Sequence, residues 1–253
     1  MGINTNSKHK KINKTATQDI SLAQIYFMQA EELRCNNKFK EAIDRYLHSI
    51  LINRNNHTSY VGLAIAYKSL KNYNKAIQNL KKAEELEPYD ITIQKELALC
   101  NIVKGDFENG IKHLISSIKL DPNNADVQMQ LALVHEMIEE EDMALMIYQK
   151  IIETNPDYIR AYIQKATLYM HLDDYLNSAK IFKKILKLKK DYYRAYLALG
   201  ICYEKLGNLQ GAKRFYKKYL AYSKNSSNQK EVSKRIIELE YINKKETHNL
   251  KLL

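Results

Sequence analysis

The stretch around His135 comes closest to a set of metal ligands in this sequence. His135 and Glu139 are four residues apart, so on a helix the imidazole and the carboxylate would share a face and could bind a metal ion. A third ligand is not evident. The sequence also lacks a Gly-rich phosphate loop, a Gly-x-Ser-x-Gly motif and a His-Glu-x-x-His motif. We therefore expect a protein that is not an enzyme and that binds no metal or cofactor.

The cysteines and the apolar segments indicate the expected cellular location of the protein. Cys35, Cys100 and Cys202 are odd in number and far apart, without the paired spacing of a zinc or redox site. We expect three reduced, unreactive thiols. No apolar run approaches the ~18 residues of a membrane-spanning helix, and the N-terminus lacks the apolar segment of a secretory signal. A cytoplasmic location is the expectation.

The pattern of secondary structure is clearest in residues 57–90, which contain two apolar stripes at helical spacing. The polar Lys71-Asn72 step separates the stripes, and Pro88 ends the second because proline lacks a backbone donor. The pattern predicts a helix–turn–helix hairpin whose helices approach most closely at two alanines, one in each stripe. The stripes are Tyr60, Ala64 and Tyr67, then Tyr73, Ala76, Leu80 and Ala83.

The hairpin pattern recurs every 34 residues. A first series of small residues is Ala30, Ala64, Ala98, Ala132, Ala166 and Gly200, and a second is Ala42, Ala76, Gly110, Ala144, Ser178 and Ala212. Four residues after each member of the second series stands a large apolar side chain: Tyr46, Leu80, Leu114, Tyr148, Phe182 and Tyr216. All three prolines, Pro88, Pro122 and Pro156, share one repeat position.

This pattern resembles the tetratricopeptide repeat family, whose 34-residue unit is a helix–turn–helix hairpin. The resemblance extends over six units without a gap. Individual units depart from it, since Gln94 and Gln128 replace an aromatic residue and Asn101 and His135 replace a tyrosine. The resemblance implies an all-α fold, a right-handed α-solenoid of helix–turn–helix hairpins.

The domain organisation follows from the period. We expect a disordered basic tail at residues 1–19, six repeats within residues 20–226, and a capping helix with a frayed C-terminus at residues 227–253. In residues 228–245, Val232, Ile236 and Leu239 have the spacing of an amphipathic helix that could cover the last repeat. The repeats are 23–56, 57–90, 91–124, 125–158, 159–192 and 193–226.

The resemblance also implies a site, because the first helix of each unit lines the concave surface in this family. We expect a peptide or an amphipathic helix to bind there, in a largely apolar groove with basic residues at its rim. Burial of the same side chains between neighbouring first helices is the alternative interpretation. The groove residues are Phe27, Val61, Ile65, Lys95, Leu99, Ile102, Met129, Leu133, Met137, Arg160, Ile163, Met170, Arg194, Leu197 and Ile201.

The charge supports a second functional hypothesis. The net charge is +11, and lysines are concentrated in the fifth and sixth repeats, mostly on second helices, which form the convex face in this family. Such a face could bind nucleic acid, or it could simply be a solvated surface. A non-catalytic protein-interaction scaffold is the first expectation and a nucleic-acid-associated factor the alternative. The cluster is Lys180, Lys183, Lys184, Lys187, Lys189, Lys190, Lys213, Arg214, Lys217 and Lys218.

Overall fold

The computed structural model describes residues 22–223 and 227–250, with side chains as far as Ile242, and these residues form α-helices joined by short turns. The predicted basic tail lies outside them. The predicted all-α repeat fold is confirmed. The helices are α1 (22–35), α2 (Phe39–Ile52), α3 (His57–Ser69), α4 (Tyr73–Leu86), α5 (Ile91–Val103), α6 (Phe107–Leu120), α7 (Ala125–Met137), α8 (Glu141–Thr154), α9 (Ile159–His171), α10 (Tyr175–Leu188), α11 (Tyr193–Lys205), α12 (Leu209–Tyr222) and α13 (Gln229–Leu250).

The chain divides into two compact units, and the division falls inside α7. The N-terminal unit is Met1–Val134 and the C-terminal unit is His135–Leu253. Within the N-terminal unit α2 packs on α3, α3 on α4, α4 on α5 and α5 on α6. Within the C-terminal unit the same succession runs from α8 to α13. Within each of these two series every helix packs against its neighbours in sequence, which is the contact pattern of a repeat protein.

The turn inside each hairpin has a left-handed residue at one fixed repeat position. After α3, Lys71 has φ 60°, its N–H donates to Lys68 O at 2.8 Å, and Asn72 N donates to Tyr67 O at 2.9 Å. This pair of bonds is a Schellman motif, and it satisfies carbonyls that the end of a helix leaves without a partner. Asn72 then begins α4 by accepting a hydrogen bond from Lys75 N. The left-handed residues are Asn37, Lys71, Gly105, Glu139, Asp173 and Gly207.

The two series of small residues lie in the core. Every member of both series is buried, as are the six large side chains that follow the second series. Gly200 shows how tight this packing is, because a Cβ atom there would lie 2.3 Å from Cε1 of Tyr216. No side chain can therefore replace glycine at that position unless the tyrosine ring moves.

The last helix covers the sixth repeat. Val232, Ile236 and Leu239 of α13 are buried and pack in one cluster with Tyr216 and Tyr219 of α12. The helix continues to Leu250, beyond the stretch in which the apolar spacing was found. The outer face of α13 is largely polar, which allows a repeat array to end in water, but it also carries the exposed side chains of Ile237 and Tyr241.

Candidate binding surfaces

The first helices of the N-terminal unit carry eight of the predicted groove residues. Leu99 on α5 is the most exposed apolar residue among them, with 40% of its surface accessible. Met129 is buried, with 1% exposed, and it offers no surface to a ligand. The other six are partly exposed: Phe27, Val61, Ile65, Lys95, Ile102 and Leu133.

An ion pair joins two of these first helices. Lys68 Nζ of α3 lies 2.5 Å from Glu96 Oε2 of α5, and both side chains are largely covered. The helices also contact each other directly. The pair therefore holds α3 and α5, which carry predicted groove residues, at a fixed spacing.

A second charged cluster lies between α1 and α2. Glu31 accepts hydrogen bonds from Arg34 and from the hydroxyl of Tyr46. Partial burial raises the pKa of Glu31, but the hydrogen bonds from Arg34 and Tyr46 outweigh it and hold that pKa below the ordinary value of 4.5. The carboxylate is thus ionised at neutral pH, and it lies one helical turn after Phe27, one of the predicted groove residues, on α1.

In the C-terminal unit the predicted groove residues have different surroundings. Leu197 and Ile201 of α11 pack against the cluster that α13 completes, and with Val232 and Arg235 of α13 they line a cavity of about 370 Å³. Sequence reasoning did not place α13 beside the groove. Met137 and the arginines Arg160 and Arg194 are exposed, and the partly exposed residues are Ile163, Met170, Leu197 and Ile201.

Glu204 anchors α13 to the sixth repeat. Its carboxylate accepts two hydrogen bonds from Arg235 and one from the hydroxyl of Tyr216 at 2.9 Å. Partial burial raises the pKa of Glu204, but the hydrogen bonds from Arg235 and Tyr216 have the larger combined effect and lower it. A charge-assisted pair of this kind orients the helix as well as holding it.

The suggested pairing of His135 with Glu139 is wrong. Helix α7 ends at Met137, and Glu139 has φ 60° in the turn, so the two side chains do not share a helical face. His135 Nδ1 instead lies 2.6 Å from Glu140 Oε2. Among the described residues, no group of three or more His, Cys, Asp or Glu side chains could hold a metal ion.

The thiols differ in their accessibility. Cys100 and Cys202 are buried and Cys35 is exposed, and all three are free. Burial raises the pKa of Cys100 to about 11. Because the thiolate is the reactive form, Cys100 is protonated and unreactive at neutral pH.

Much of the basic cluster on the second helices has partners within the fold. Lys183 lies over the ring of Tyr203 at 5.1 Å from its centroid, Lys184 over Tyr162 at 5.0 Å, and Lys218 over Tyr196 at 5.7 Å. Lys213 and Lys217 both lie near Glu240 of α13, at 3.7 and 3.4 Å. These five side chains therefore contribute to the packing of the C-terminal unit.

The structure shows a cavity of about 790 Å³ in the N-terminal unit, lined by α4, α5 and α6 and the turns beside them. We call it the α4–α6 cavity. Gln94 and Asn101 line it, and these are the two positions of the third repeat where a polar residue replaces a family aromatic. These two polar residues are the feature of the sequence that marks the cavity, but the sequence alone does not predict that a cavity forms there.

Comparison with known families and structures identifies the class of protein. Two family models, each described as tetratricopeptide repeat, match residues 57–90 and 173–236. The first range coincides with the second repeat read from the sequence. The chain therefore contains tetratricopeptide repeats. Proteins of this class generally mediate protein–protein interaction and are typically non-catalytic scaffolds. Among the helices of the described residues, none is both long and apolar enough to cross a bilayer.

Solved structures share the fold at low sequence identity. A tetratricopeptide repeat protein from Parabacteroides merdae is 16% identical, with a TM-score of 0.66 over 87% of this chain and 88% of that one. Pseudomonas aeruginosa PilF is 12% identical, with a TM-score of 0.62 over 86% and 99%. YrrB, described as a TPR protein with an unusual peptide-binding site, is 17% identical, with a TM-score of 0.58 over 75% and 97%. At these identities the similarity is one of fold.

Proposed function

We propose that this protein is an interaction scaffold that binds a peptide or an amphipathic helix against its first helices. The observation that carries the proposal is the surface of α3 and α5, where Val61 and Ile65 are partly exposed and Leu99 is 40% exposed. Covering apolar surface of this kind contributes about 25 cal/mol for each Å² removed from water. The ion pair between Lys68 and Glu96 holds the two helices at a fixed spacing, so the surface is preorganised for a ligand.

The C-terminal unit supports a helix as the type of ligand. There α13, an amphipathic helix of the chain itself, lines a cavity together with Leu197 and Ile201. These two residues hold the same positions in the sixth repeat that Val61 and Ile65 hold in the second. An amphipathic helix from a partner would meet similar apolar side chains on α3. The finding that YrrB has a peptide-binding site is consistent with this use of the fold.

The experiment compares Leu99→Glu with the control Ile115→Glu. Both side chains are 40% exposed, but Leu99 lies on a first helix and Ile115 on the second helix α6. Peptides are selected from a random displayed library on the wild-type protein, and their affinity for each variant is then measured by fluorescence polarisation. We expect Leu99→Glu to abolish binding, because a covered, unpaired carboxylate costs several kcal/mol against ~8 kcal/mol for a micromolar complex.

Peptide binding by the control variant and the helicity of both variants are measured on the same samples. Ile115→Glu should bind the selected peptides like the wild type, and circular dichroism should show both variants fully helical. Leu133→Glu, on the partly exposed side of α7, provides a second test of the same surface. Folded Leu99→Glu protein with undiminished binding would refute the proposal, as would an equal loss in Ile115→Glu.

The alternative, binding of nucleic acid on the second helices of the fifth and sixth repeats, is tested by salt. Phosphate contacts release counterions, so affinity for RNA would fall steeply between 50 and 200 mM salt, whereas binding to an apolar groove would change little. The contacts of Lys183, Lys184 and Lys218 with tyrosine rings favour a structural role for those lysines. Strong, salt-sensitive RNA binding that Lys187→Ala reduces would instead support the alternative.

A further inference from the structure

The α4–α6 cavity is large enough for a small molecule. Its volume of about 790 Å³ lies within the roughly 300–1,000 Å³ typical of ligand pockets. Its residues come from α4, α5, α6 and the adjoining turns, all within the N-terminal unit. It shares no residue with the proposed peptide surface of α3 and α5.

The floor contains one polar side chain whose hydrogen bonds are complete. Gln94 Nε2 donates to Glu84 Oε1 at 2.8 Å and to the Pro88 carbonyl at 3.3 Å. Its Oε1 lies 2.8 Å from His113 Nδ1, so Nδ1 carries the proton in that bond. Burial lowers the pKa of His113 below its ordinary value of 6.5, which leaves a neutral ring at neutral pH.

A neighbouring side chain of the floor lacks such partners. Asn101 is 6% exposed and lines the cavity, yet its amide forms no hydrogen bond with any residue that the structure describes. Its amide atoms are not among the fully buried polar atoms that lack a partner, so they are accessible from the cavity. The side-chain NH₂ group of Asn101 can therefore donate a hydrogen bond to a ligand, and its carbonyl oxygen can accept one.

The walls have an excess of available positive charge. Three carboxylates also line the cavity, so its lysines outnumber them by one: Glu84, Glu85 and Asp106. Glu85 lies 2.8 Å from Lys82, whereas Glu84 and Asp106 accept hydrogen bonds from the neutral amides of Gln94 and Asn109 and keep their charge. The hydrogen bonds from Asn109, together with the charges of Lys104 and Lys81, lower the pKa of Asp106. The cavity also has an aromatic edge, since Tyr89 lines it and is 82% exposed. Four lysines line it without an ion-pair partner among the residues described: Lys81, Lys104, Lys112 and Lys119.

We propose that the α4–α6 cavity binds a phosphorylated small molecule, of nucleotide size or smaller. Lysine ammonium groups bind phosphate oxygens as point charges. The Asn101 amide can donate to a ligand oxygen and accept from a ligand N–H or O–H at the floor. The face of Tyr89 can cover a planar group at the rim. The site would give the scaffold a small-molecule ligand separate from its peptide partner.

Isothermal titration calorimetry of the full-length protein at constant ionic strength tests the proposal, with pyrophosphate, ATP and citrate as probes. We expect saturable binding of one ATP or pyrophosphate per chain, and weaker binding of citrate. The double variant Lys81→Ala/Lys112→Ala should lose about tenfold or more in affinity, since hydrogen bonds to charged groups are being removed. The variant Asn101→Leu, similar in volume but without the amide, should lose a comparable factor.

The matched control is Lys187→Ala/Lys189→Ala, which removes the same charge from exposed positions at the end of α10. It should bind like the wild type, and unfolding midpoints should show that every variant is folded. Undetectable binding of both phosphate probes at millimolar concentration would overturn the proposal. So would an equal loss in the control, which would mean that only net charge matters, or a preference for citrate.

Discussion

The α4–α6 cavity and the packed region formed by α10, α11 and α12 occupy the same repeat positions, yet one is open and the other is filled. The residues of the second region are 102 positions later, which is three repeats. Gln94 corresponds to Tyr196, Asn101 to Tyr203, and His113 to Phe215. The backbone pattern is common to both regions, so the side chains at these positions decide whether a cavity forms.

The aromatic residues fill the second region through ring contacts. Tyr203 and Phe215 pack with ring centroids 5.0 Å apart, and Tyr196 stacks on Tyr222 at 5.2 Å. In the first region Gln94 and His113 meet through a hydrogen bond. The amide of Gln94 and the imidazole of His113 occupy less volume than the phenol ring of Tyr196 and the phenyl ring of Phe215, and their polar atoms need partners. The exchange of aromatic for polar residues therefore produces a cavity with a hydrogen-bonding floor.

The contacts of the lysines also differ between the two regions. Lys81 and Lys183 hold the same repeat position, but Lys183 lies over the ring of Tyr203, whereas Lys81 lines the cavity together with Asn101, the residue at the position of Tyr203. A contact between a cation and an aromatic ring contributes about 0.5–1 kcal/mol at an exposed site. The same residue type thus serves packing in one region and is available to a ligand in the other.

The largest expected effect concerns the end of the filled region. Deleting residues 227–253 removes Val232, Ile236 and Leu239, whose burial is worth about 1.5–3 kcal/mol each. We expect the truncated protein to unfold at a markedly lower temperature and to associate, as measured by calorimetry and light scattering. A control ending at Ile242 keeps all three side chains and should behave like the full chain. A monomeric truncation with unchanged stability would contradict the covering role of α13.

Exchanging residues between the two regions gives the most direct test of the comparison. Tyr203→Asn should destabilise by about 2–3 kcal/mol, since a partly buried aromatic ring is lost. The reverse change, Asn101→Tyr, places a ring where the cavity already has room and should change the free energy of unfolding by less than about 1 kcal/mol. Urea denaturation measures both. Equal effects would mean that the two regions are packed alike.

The tight core positions should behave alike in both regions. Ala98 is fully buried, and its counterpart is Gly200, where even an added Cβ atom would clash with the Tyr216 ring. Ala98→Leu should therefore destabilise by about 1–3 kcal/mol through overpacking. The control Ala221→Leu, at an exposed position of α12, should stay within about 0.5 kcal/mol. Identical urea midpoints for the two variants would show that the repeat register is misassigned.

The smallest effect is a pH dependence confined to the polar region. Burial lowers the pKa of His113 in the folded protein, so the unfolded chain takes up a proton first as the pH falls below about 6.5. The contribution of His113 to stability is therefore complete above that pH and is lost as the pH falls through the folded pKa. The variant His113→Phe, which copies Phe215, should lose less stability between pH 7.5 and 5.5 than the wild type.

The sequence alone determined the repeat and its core. Small residues such as Ala64 and Ala76 recur at a fixed period, and such a period has one structural solution, since a hairpin must bury its apolar face against its neighbours. The turns could also be predicted, because Asn72 and Asp106 are helix-capping residues at one repeat position. The positions of the groove residues follow from the repeat register. That these residues form a binding site stays a prediction.

Only the tertiary structure decided how much of each side chain remains available. Met129 and Leu133 are one helical turn apart in the sequence, but the first is fully buried and the second partly exposed. Nor could the sequence show that Glu140, rather than Glu139, meets His135, because that depends on where α7 ends. The α4–α6 cavity required residues from three helices to be placed together. Periodicity fixes which residues face inward, whereas the volume that they leave unfilled depends on every neighbour at once.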